Sequence, residues 1–202
     1  MASVSGTEGY AENAESLIRQ YESFSFADVH GPELHLIPVA PCRVLDVGSG
    51  TGRDAAALAA MGHSVVAVEP TGAFRLSAAS LHPSPHIEWL DDSLPDLVRV
   101  RQRGEQFDLV MLTAVWMHLD AKQRRRAMPS VVSLVRSGGV TIMSLRHGPV
   151  PRGRRMFAVS AKETIELARR EGLELLLCDT RPPLLATGAV TWTHLAFAKP
   201  AG

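Results

Sequence analysis

The chain has 202 residues, a length that fits one domain and can bury a continuous core without metal or disulfide staples. Hydrophobic residues make up 46% and charged residues 21% of it, a balance that excludes a disordered tail. Lysine plus arginine equal aspartate plus glutamate at 21 each, so no net field favours nucleic acid or an anionic membrane, and we expect neither as a partner.

The first predicted element is a helical segment that precedes the core. Residues 12–21 have helical composition, and proline and histidine breaks follow up to Pro41. We expect residues 1–41 to pack as an appendage on a core domain of residues 42–202. The aromatic residues Tyr10, Tyr21 and Phe26 have two open roles, a lid over a ligand or packing against the sheet edge. Residues 1–10 lack a basic start with an apolar stretch, which predicts a cytoplasmic protein.

Apolar runs rich in valine, isoleucine and leucine alternate with helical patterns from Arg43 onward. This alternation predicts a doubly wound, Rossmann-like α/β fold, with a mostly parallel seven-stranded sheet covered by helices on both faces. The predicted strands are residues 43–47, 64–68, 86–90, 107–113, 140–145, 173–178 and 191–198.

Two features organise the last third of the chain. Ser160 and Glu163 form a possible capping box for a helix over residues 161–171, and Gly172 stands where a left-handed C-cap is wanted. No helical pattern separates the last two strands, only residues 181–183 and a loop with Gly188, so we expect an antiparallel hairpin. The basic run of residues 122–126 is expected to be a solvated helix face.

A glycine-rich turn follows the first strand, whose last residues are Asp46 and Val47. The glycines run G-x-G-x-G from residue 48 to residue 52, and a helix is predicted to begin near Asp54. Such a turn lets a ligand approach the main chain, and the helix start favours an anionic group. A dinucleotide site would need a third glycine at position 53, where the residue is Arg53. That spacing, with an acid that suits an amino group, favours S-adenosylmethionine over NAD.

Carboxylates also follow the next two strands. Glu69, with Pro70, ends the second strand beside the glycine turn, where its oxygens can accept both hydroxyls of a ribose. Asp91 and Asp92 come just past the third strand, and either one could accept from an adenine amino group or cap the following helix. One of these two aspartates is a better candidate than both together.

These residues resemble the glycine motif, ribose acid and adenine acid of the class I S-adenosylmethionine-dependent methyltransferases, over residues 43–139. Residues 107–113 resemble the family's fourth motif, whose strand end faces the methionine part of the cofactor, and residues 115–119 its following short helix. Residues 137–139 resemble the turn before the fifth strand. The resemblance implies these cofactor-binding residues: Asp46, Gly48, Ser49, Gly50, Gly52, Arg53, Glu69, Pro70, Asp91, Asp92, Leu112 and Thr113.

The resemblance implies methyl transfer by in-line displacement at the sulfonium methyl, without a metal, and leaves the acceptor open. Loops after the fourth and fifth strands surround the methyl group in this fold, and here they are dense in arginine, which suits a small anionic acceptor. The predicted acceptor contacts are Tyr21, Trp116, Arg146, His147, Arg154 and Arg155. The arginines could instead pair with Glu163 and Glu166 on the next helix.

His118 is the candidate general base, because a histidine titrates near neutral pH; a hydrogen-bonded strut is the alternative. Two other functions stay open, a dinucleotide-dependent oxidoreductase and a non-catalytic protein that binds S-adenosylmethionine. Residues 113–116 lack the Asn or Asp with Pro-Pro-aromatic signature of base methylation, which argues against a nucleic-acid methylase. We expect a small-molecule substrate and a monomer or homodimer.

Overall fold

The computed structural model describes residue 4, residues 6–184 and residues 189–202. Its centre is a seven-stranded sheet with the order β3-β2-β1-β4-β5-β7-β6. The strands are β1 (Arg43–Val47), β2 (Ser64–Val68), β3 (Ile87–Leu90), β4 (Phe107–Leu112), β5 (Val135–His147), β6 (Glu174–Arg181) and β7 (Thr191–Ala198).

The strand pairing confirms the predicted sheet. Strands β1 to β5 pair in parallel with their neighbours, and β7 lies antiparallel between β5 and β6. The last two strands therefore form the predicted hairpin, and β7 is the reversed strand. Gly188, expected in their connection, lies outside the described residues.

Helices cover both faces of the sheet. They are α1 (Ala14–Tyr21), α2 (Phe26–His30), α3 (Arg53–Ala60), α4 (Gly72–Leu81), α5 (Val98–Gln102), α6 (Ala121–Leu134) and α7 (Ala161–Arg170), with short 3-10 helices at Leu34–Leu36 and Trp116–His118. The helices predicted after the glycine turn, at residues 12–21 and at residues 161–171 are present with small shifts in their ends. Within the described residues, no helix is long and apolar enough to cross a bilayer.

The hydrophobic core consists of two clusters, one on each face of the sheet. Alternation along β1 sends Leu45 into one cluster and Val44 into the other, as a strand's two-residue period requires. The first cluster takes Met128 of α6 and Leu167 of α7. The second includes Phe26 of α2, which is 6% exposed. Phe26 therefore packs on the sheet and does not act as a lid.

The turn predicted at residues 137–139 lies inside β5, which begins at Val135. The pairing of β4 with β5 shifts register between Phe107 and Leu109, and the extra β5 residues bulge out there. Gly138 has φ +76°, and its N–H donates to the carbonyl of Lys199 at 2.8 Å. A bulge with an interstrand hydrogen bond thus replaces the expected turn.

One ion pair shows that two sequence-based expectations are wrong. Arg124, assigned to a solvated helix face, is 3% exposed and donates to both carboxylate oxygens of Glu163 at 3.0–3.2 Å. Glu163 therefore pairs with Arg124 and not with the arginines after β5. The Ser160 hydroxyl accepts from the Glu163 N–H, so only half of the predicted capping box forms, because the Glu163 carboxylate is engaged elsewhere.

Candidate active site

A cavity of about 550 Å³ opens at the carboxyl ends of the parallel strands. It lies where the strand order reverses, between β1 and β4, the usual ligand position in a doubly wound sheet. The N-terminal segment supplies another wall, through Val4, Thr7, Tyr10, Leu17 and Tyr21 among others.

The glycine turn and the adjoining strand ends bring most of the predicted cofactor residues into this cavity. Those that line it are Asp46, Gly48, Ser49, Gly50, Arg53, Glu69, Pro70, Asp92 and Thr113. Their convergence follows from the topology, since β1, β2 and β4 end at the same edge of the sheet.

Three predicted cofactor residues do not line the cavity. Gly52 has φ +84° and begins α3, and a Cβ there would lie 2.4 Å from Trp89 Cη2, so this glycine serves packing between helix and strand. Asp91 turns away and pairs with Arg75 at 3.3 Å. Leu112 is fully buried in the first cluster.

Glu69 closes the glycine turn. One carboxylate oxygen accepts from the Gly50 N–H at 3.0 Å, and the other accepts from the Thr71 N–H at 2.7 Å. Burial raises the pKa of Glu69, although these backbone hydrogen bonds oppose the shift. Each oxygen keeps capacity for a second hydrogen bond, so both can still face a pair of hydroxyls.

Asp92 has a structural partner as well as a place in the cavity wall. Its Oδ1 accepts from the Ser93 N–H at 2.9 Å, and its Oδ2 accepts from the Val100 N–H at 3.0 Å in the first turn of α5. The helix cap and the cavity position therefore belong to the same residue. Of the two aspartates, Asp92 is the one that lines the cavity.

Buried charges lie at the base of the cavity. His30 Nε2 is 2.8 Å from Asp54 Oδ2, and Arg53 pairs with the other Asp54 oxygen. Burial alone would raise the pKa of Asp54. His30 and Arg53 lower it by more than burial raises it, so the pKa lies below its ordinary value. Burial lowers the pKa of His30, yet Asp54 and Glu33 raise it to about 9. This network joins α2 to the start of α3.

Asp46 lies next to this network and is 1% exposed. Burial, and then the Asp54 carboxylate, raise the pKa of Asp46 well above the usual range of an aspartate. One of its oxygens, Oδ2, is buried without a hydrogen-bond partner. A cationic ligand group beside Asp46 would satisfy that oxygen and stabilise the ionised carboxylate.

The end of β4 presents backbone to the cavity through Thr113 and Ala114, one residue beyond the predicted pair. Ala114 has φ +59°, a left-handed conformation that is strained for a residue with a side chain. Its N–H donates to the Ser144 hydroxyl of β5 at 2.9 Å, which holds this turn in place.

Only some of the six predicted acceptor contacts line the cavity. Tyr21, Arg146 and Arg154 do so, as does the candidate base His118. The other three do not line it: Trp116 is fully buried in the first cluster, His147 bonds Thr193 at 2.8 Å, and Arg155 is exposed and lies 3.5 Å from Glu8. The 3-10 helix points Trp116 into the core and His118 to the cavity.

His118 is buried and hydrogen-bonded through both ring nitrogens. Nδ1 lies 2.9 Å from the Arg155 carbonyl, and Nε2 lies 2.9 Å from the Tyr10 hydroxyl. Burial lowers the pKa of His118, so the ring is neutral at physiological pH. Both roles left open by the sequence, base and strut, are compatible with these bonds.

The wall of the cavity also contains side-chain atoms that are buried without a hydrogen-bond partner. They are Asp46 Oδ2, Ser49 Oγ, Thr113 Oγ1 and Arg154 Nη1. Unpartnered buried polar atoms are uncommon in folded proteins, and these four atoms in one cavity wall suit a polar ligand. Carboxylate, hydroxyl and guanidinium groups suit the ammonium, hydroxyl and carboxylate groups of an amino-acid nucleoside, so the residues present fit S-adenosylmethionine.

Comparison with known proteins gives an independent result. The model of a methyltransferase domain family matches residues 44–139. No curated protein is similar enough in sequence to count as a match.

Solved structures share the fold at low sequence identity. A methyltransferase from Methanosarcina mazei has a TM-score of 0.68 at 16% identity, covering 85% of this chain and 98% of that one. The 1,6-didemethyltoxoflavin N1-methyltransferase of Burkholderia thailandensis, with its substrate and S-adenosylhomocysteine bound, scores 0.65 at 20% identity, covering 99% and 93%. An N-methyltransferase from Bradyrhizobium japonicum with S-adenosylhomocysteine scores 0.64 at 17%, covering 92% and 87%.

The fold is Rossmann-like, and the lining of the cavity at the first βα turn fits an S-adenosyl cofactor. The methyltransferase-domain model covers residues 44–139, just under half of the chain, and the protein is an S-adenosylmethionine-dependent methyltransferase with S-adenosylmethionine as its cofactor. This identification replaces the alternatives of a dinucleotide-dependent oxidoreductase and a non-catalytic binding protein.

Proposed function

We propose that the enzyme methylates a small acceptor that carries an anionic group, with Arg154 and Arg146 as the residues that bind this group. The observation that carries the proposal is the Arg154 guanidinium at the cavity wall, whose Nη1 is buried without a partner. A guanidinium N–H that is buried without a partner is costly unless a ligand supplies an acceptor. A carboxylate or phosphate does so with the planar geometry that arginine favours.

The surroundings of Arg154 support the same proposal. Its guanidinium lies 3.6 Å above the ring of Tyr10, which fixes its orientation. Arg146 also lines the cavity and uses Nη1 to donate to the Pro149 carbonyl at 2.9 Å. Two positively charged side chains therefore line the same cavity, and both attract an anion.

In this proposal the cofactor is held by residues of the glycine turn and the strand ends. Asp46 would bind its amino group, Arg53 and the start of α3 its carboxylate, Glu69 its ribose hydroxyls, and Asp92 its adenine. Bound S-adenosylmethionine would supply an electrophilic methyl group to an acceptor in line with the carbon–sulfur bond, whose electron pair would stay on sulfur. The protein's own part is alignment of the acceptor and exclusion of water.

Calorimetry with S-adenosylmethionine, followed by a screen of small acids and their neutral amides for release of S-adenosylhomocysteine, tests this proposal. We expect acids to be methylated in preference to amides. Arg154→Gln should raise the KM of an acid about 10- to 100-fold, the effect of losing a hydrogen bond to a charged group of about 1.5–3 kcal/mol.

Arg152→Gln is the matched control, because Arg152 is exposed and lies outside the cavity lining. It should leave the KM of the same acid unchanged. Equal turnover of acids and amides in the unmodified enzyme, or equal effects of both substitutions, would contradict an anionic acceptor.

Other expectations from the sequence stay predictions. They are the cytoplasmic location, the absence of nucleic-acid substrates, the monomeric or homodimeric state, and the division into residues 1–41 and residues 42–202. The Burkholderia structure holds a small molecule beside S-adenosylhomocysteine, which supports a small-molecule acceptor here.

A further inference from the structure

A chain of hydrogen bonds leads from the cavity into the protein through Tyr10 and His118. The Tyr10 hydroxyl lies 2.9 Å from His118 Nε2, and His118 Nδ1 lies 2.9 Å from the Arg155 carbonyl. Tyr10 and His118 both line the cavity. The two residues are 108 positions apart in the chain, so the N-terminal segment brings this tyrosine to the site.

The carbonyl of Arg155 fixes which way the protons of this chain point. A carbonyl oxygen has no proton to give, so Nδ1 of His118 must carry the hydrogen of that bond. A neutral imidazole has one N–H, and Nε2 is therefore the acceptor of the Tyr10 O–H. Burial lowers the pKa of His118, which agrees with a neutral ring.

The Tyr10 oxygen consequently has only lone pairs to offer to the cavity. Its single proton is committed to His118, so any group that bonds this oxygen, the neighbouring Tyr21 hydroxyl or a ligand atom, must itself be a donor. The position of the oxygen is well defined, because the Arg154 guanidinium lies 3.6 Å above the ring and Phe74 meets it in an edge arrangement at 6.0 Å. An O–H or N–H group matches this oxygen, and an ether or carboxylate oxygen does not.

We propose that the acceptor is a hydroxy acid with an apolar body, and that Tyr10 is a catalytic residue that accepts the proton of its hydroxyl while passing its own proton to His118. This inference rests on the proposed function, which supplies the anionic group at Arg154. We infer an apolar body because the cavity lining also includes the apolar side chains of Leu17, Met117 and Met156.

The proton balance closes within the site. The acceptor oxygen loses its proton to the Tyr10 oxygen as it bonds to the methyl group, and the Tyr10 proton moves to Nε2. His118 then becomes an imidazolium that still donates to Arg155. Arg154 and Arg146 oppose its charge, and Glu8 favours it. A bound anionic acceptor offsets the two arginines, which couples acceptor binding to proton acceptance.

The first test uses three probes with a common skeleton: 4-hydroxyphenylacetate, phenylacetate and 4-methoxyphenylacetate. With S-adenosylhomocysteine bound, the unmodified enzyme should bind the hydroxy acid about 5-fold more tightly than either analogue, the effect of one hydrogen bond. Tyr10→Phe should remove that preference. Only the hydroxy acid should be methylated when S-adenosylmethionine is supplied.

The second test separates proton transfer from a structural role. Tyr10→Phe should lower kcat for 4-hydroxyphenylacetate at least 100-fold, with unchanged affinity for S-adenosylmethionine. With 4-hydroxy-3-nitrophenylacetate at pH 9, where the phenol is already ionised, Tyr10→Phe and unmodified enzyme should react at similar rates. A merely structural tyrosine would slow both probes equally. His86→Gln, at an exposed histidine before β3, is the control and should change neither rate.

The outcomes separate this inference from the function on which it rests. No binding of S-adenosylmethionine would overturn the proposed function itself. Normal cofactor binding with no preference for the hydroxy acid, or with no methylation of it, would overturn the relay alone. Equal losses on both phenols in Tyr10→Phe would also overturn the relay.

Discussion

At the scale of single residues, Asp46 has the most unusual environment in the site. It is 1% exposed, and burial with the neighbouring Asp54 raises its pKa, so the free enzyme favours the protonated carboxyl. A cofactor ammonium group would favour the ionised carboxylate. Binding must then release a proton, and affinity should rise with pH until Asp46 is ionised in the free enzyme.

Asp46→Asn should therefore weaken binding of S-adenosylmethionine about 10- to 100-fold and remove both the proton release and the pH dependence. Calorimetry in two buffers of different ionisation enthalpy counts the released protons. Glu105→Gln, which breaks the ion pair with Arg43 at the opposite end of β1, is the matched control and should bind normally. Retained proton release in Asp46→Asn would assign it to another group.

The candidate site was predictable from sequence where the strand pattern fixed the position of a residue. Asp46 and Glu69 end strands that flank a glycine turn, so their place followed from topology. The choice between Asp91 and Asp92 did not, because consecutive residues past a strand point in different directions. Trp116 and His118 posed the same problem in a short helix. Tyr10 was predicted only as a lid or packing residue, and its bond to His118 was not predictable because the two residues are distant in sequence.

At the scale of elements, the junction of the glycine turn with α3 depends on close packing. Gly52 combines φ +84° with a Cβ position 2.4 Å from Trp89 Cη2. Gly104 also has a positive φ, +66°, but a Cβ there meets nothing within 4 Å. The two glycines therefore separate backbone strain from steric conflict.

Gly52→Ala should lower the free energy of unfolding by about 3 kcal/mol, the sum of left-handed strain and overpacking. Gly104→Ala should lower it by only about 1 kcal/mol, because strain acts alone there. Urea unfolding of both variants measures the difference. Equal losses would show that Trp89 moves aside at little cost.

The docking of α2 on α3 depends on the buried pair of His30 and Asp54. The pKa of His30 is raised from its ordinary 6.5 to about 9. The stability that it contributes is thus complete below pH 6.5 and is lost as pH rises through about 9. The pH dependence of Asp54 has the opposite sense. Because its pKa is lowered, the stability that it contributes is lost only when the pH falls to strongly acidic values.

His30→Gln should lower the free energy of unfolding by about 3 kcal/mol at pH 6. This is the low end for breaking a buried ion pair, because Arg53 still neutralises Asp54. The cost should shrink towards pH 9.5, where the unmodified protein has also lost the charge on His30. Urea unfolding at the two pH values checks this. A pH-independent cost would mean that packing of the imidazole, and not its charge, holds α2.

The elements were largely predictable because the hydrophobic period of a strand or helix is a local property. The bulge in β5 was not, since it depends on the hydrogen bond from Gly138 to Lys199, far along the chain. The buried Arg124 was also missed. A basic run predicts a solvated face unless its acidic partner is known, and Glu163 lies on another helix.

At the scale of the whole molecule, the N-terminal segment contacts both the core and the cavity. Phe26 and Ile37 pack in the core cluster on one face of the sheet, while Val4, Thr7 and Tyr10 line the cavity. The first part of the segment, with Tyr10, forms a wall of the cavity, and the second part, with Phe26, packs it onto the sheet. Only tertiary contacts distinguish these roles, because apolar and aromatic residues occur in both parts.

Removal of residues 1–13 should therefore spare the fold and weaken the site. The full chain with S-adenosylmethionine at 100 times its Kd should gain about 2.7 kcal/mol of stability, or roughly 5–10 °C in Tm, and NAD should give no gain. The shortened chain keeps the glycine turn and its carboxylates. Loss of the apolar cover that residues 1–13 give the ligand should weaken its binding roughly tenfold, the effect of exposing about 60 Å² of apolar surface.

Thermal melts and calorimetry on both chains measure these effects, with α2 and its buried pair unchanged as the internal reference for folding. Tenfold weaker cofactor binding would mean that the segment covers the cofactor itself. Unchanged cofactor binding with lost methyl transfer would place the first part of the segment over the acceptor alone. The second outcome would contradict the cofactor lid and leave Tyr10 as a residue of the acceptor site, where its hydroxyl bonds His118.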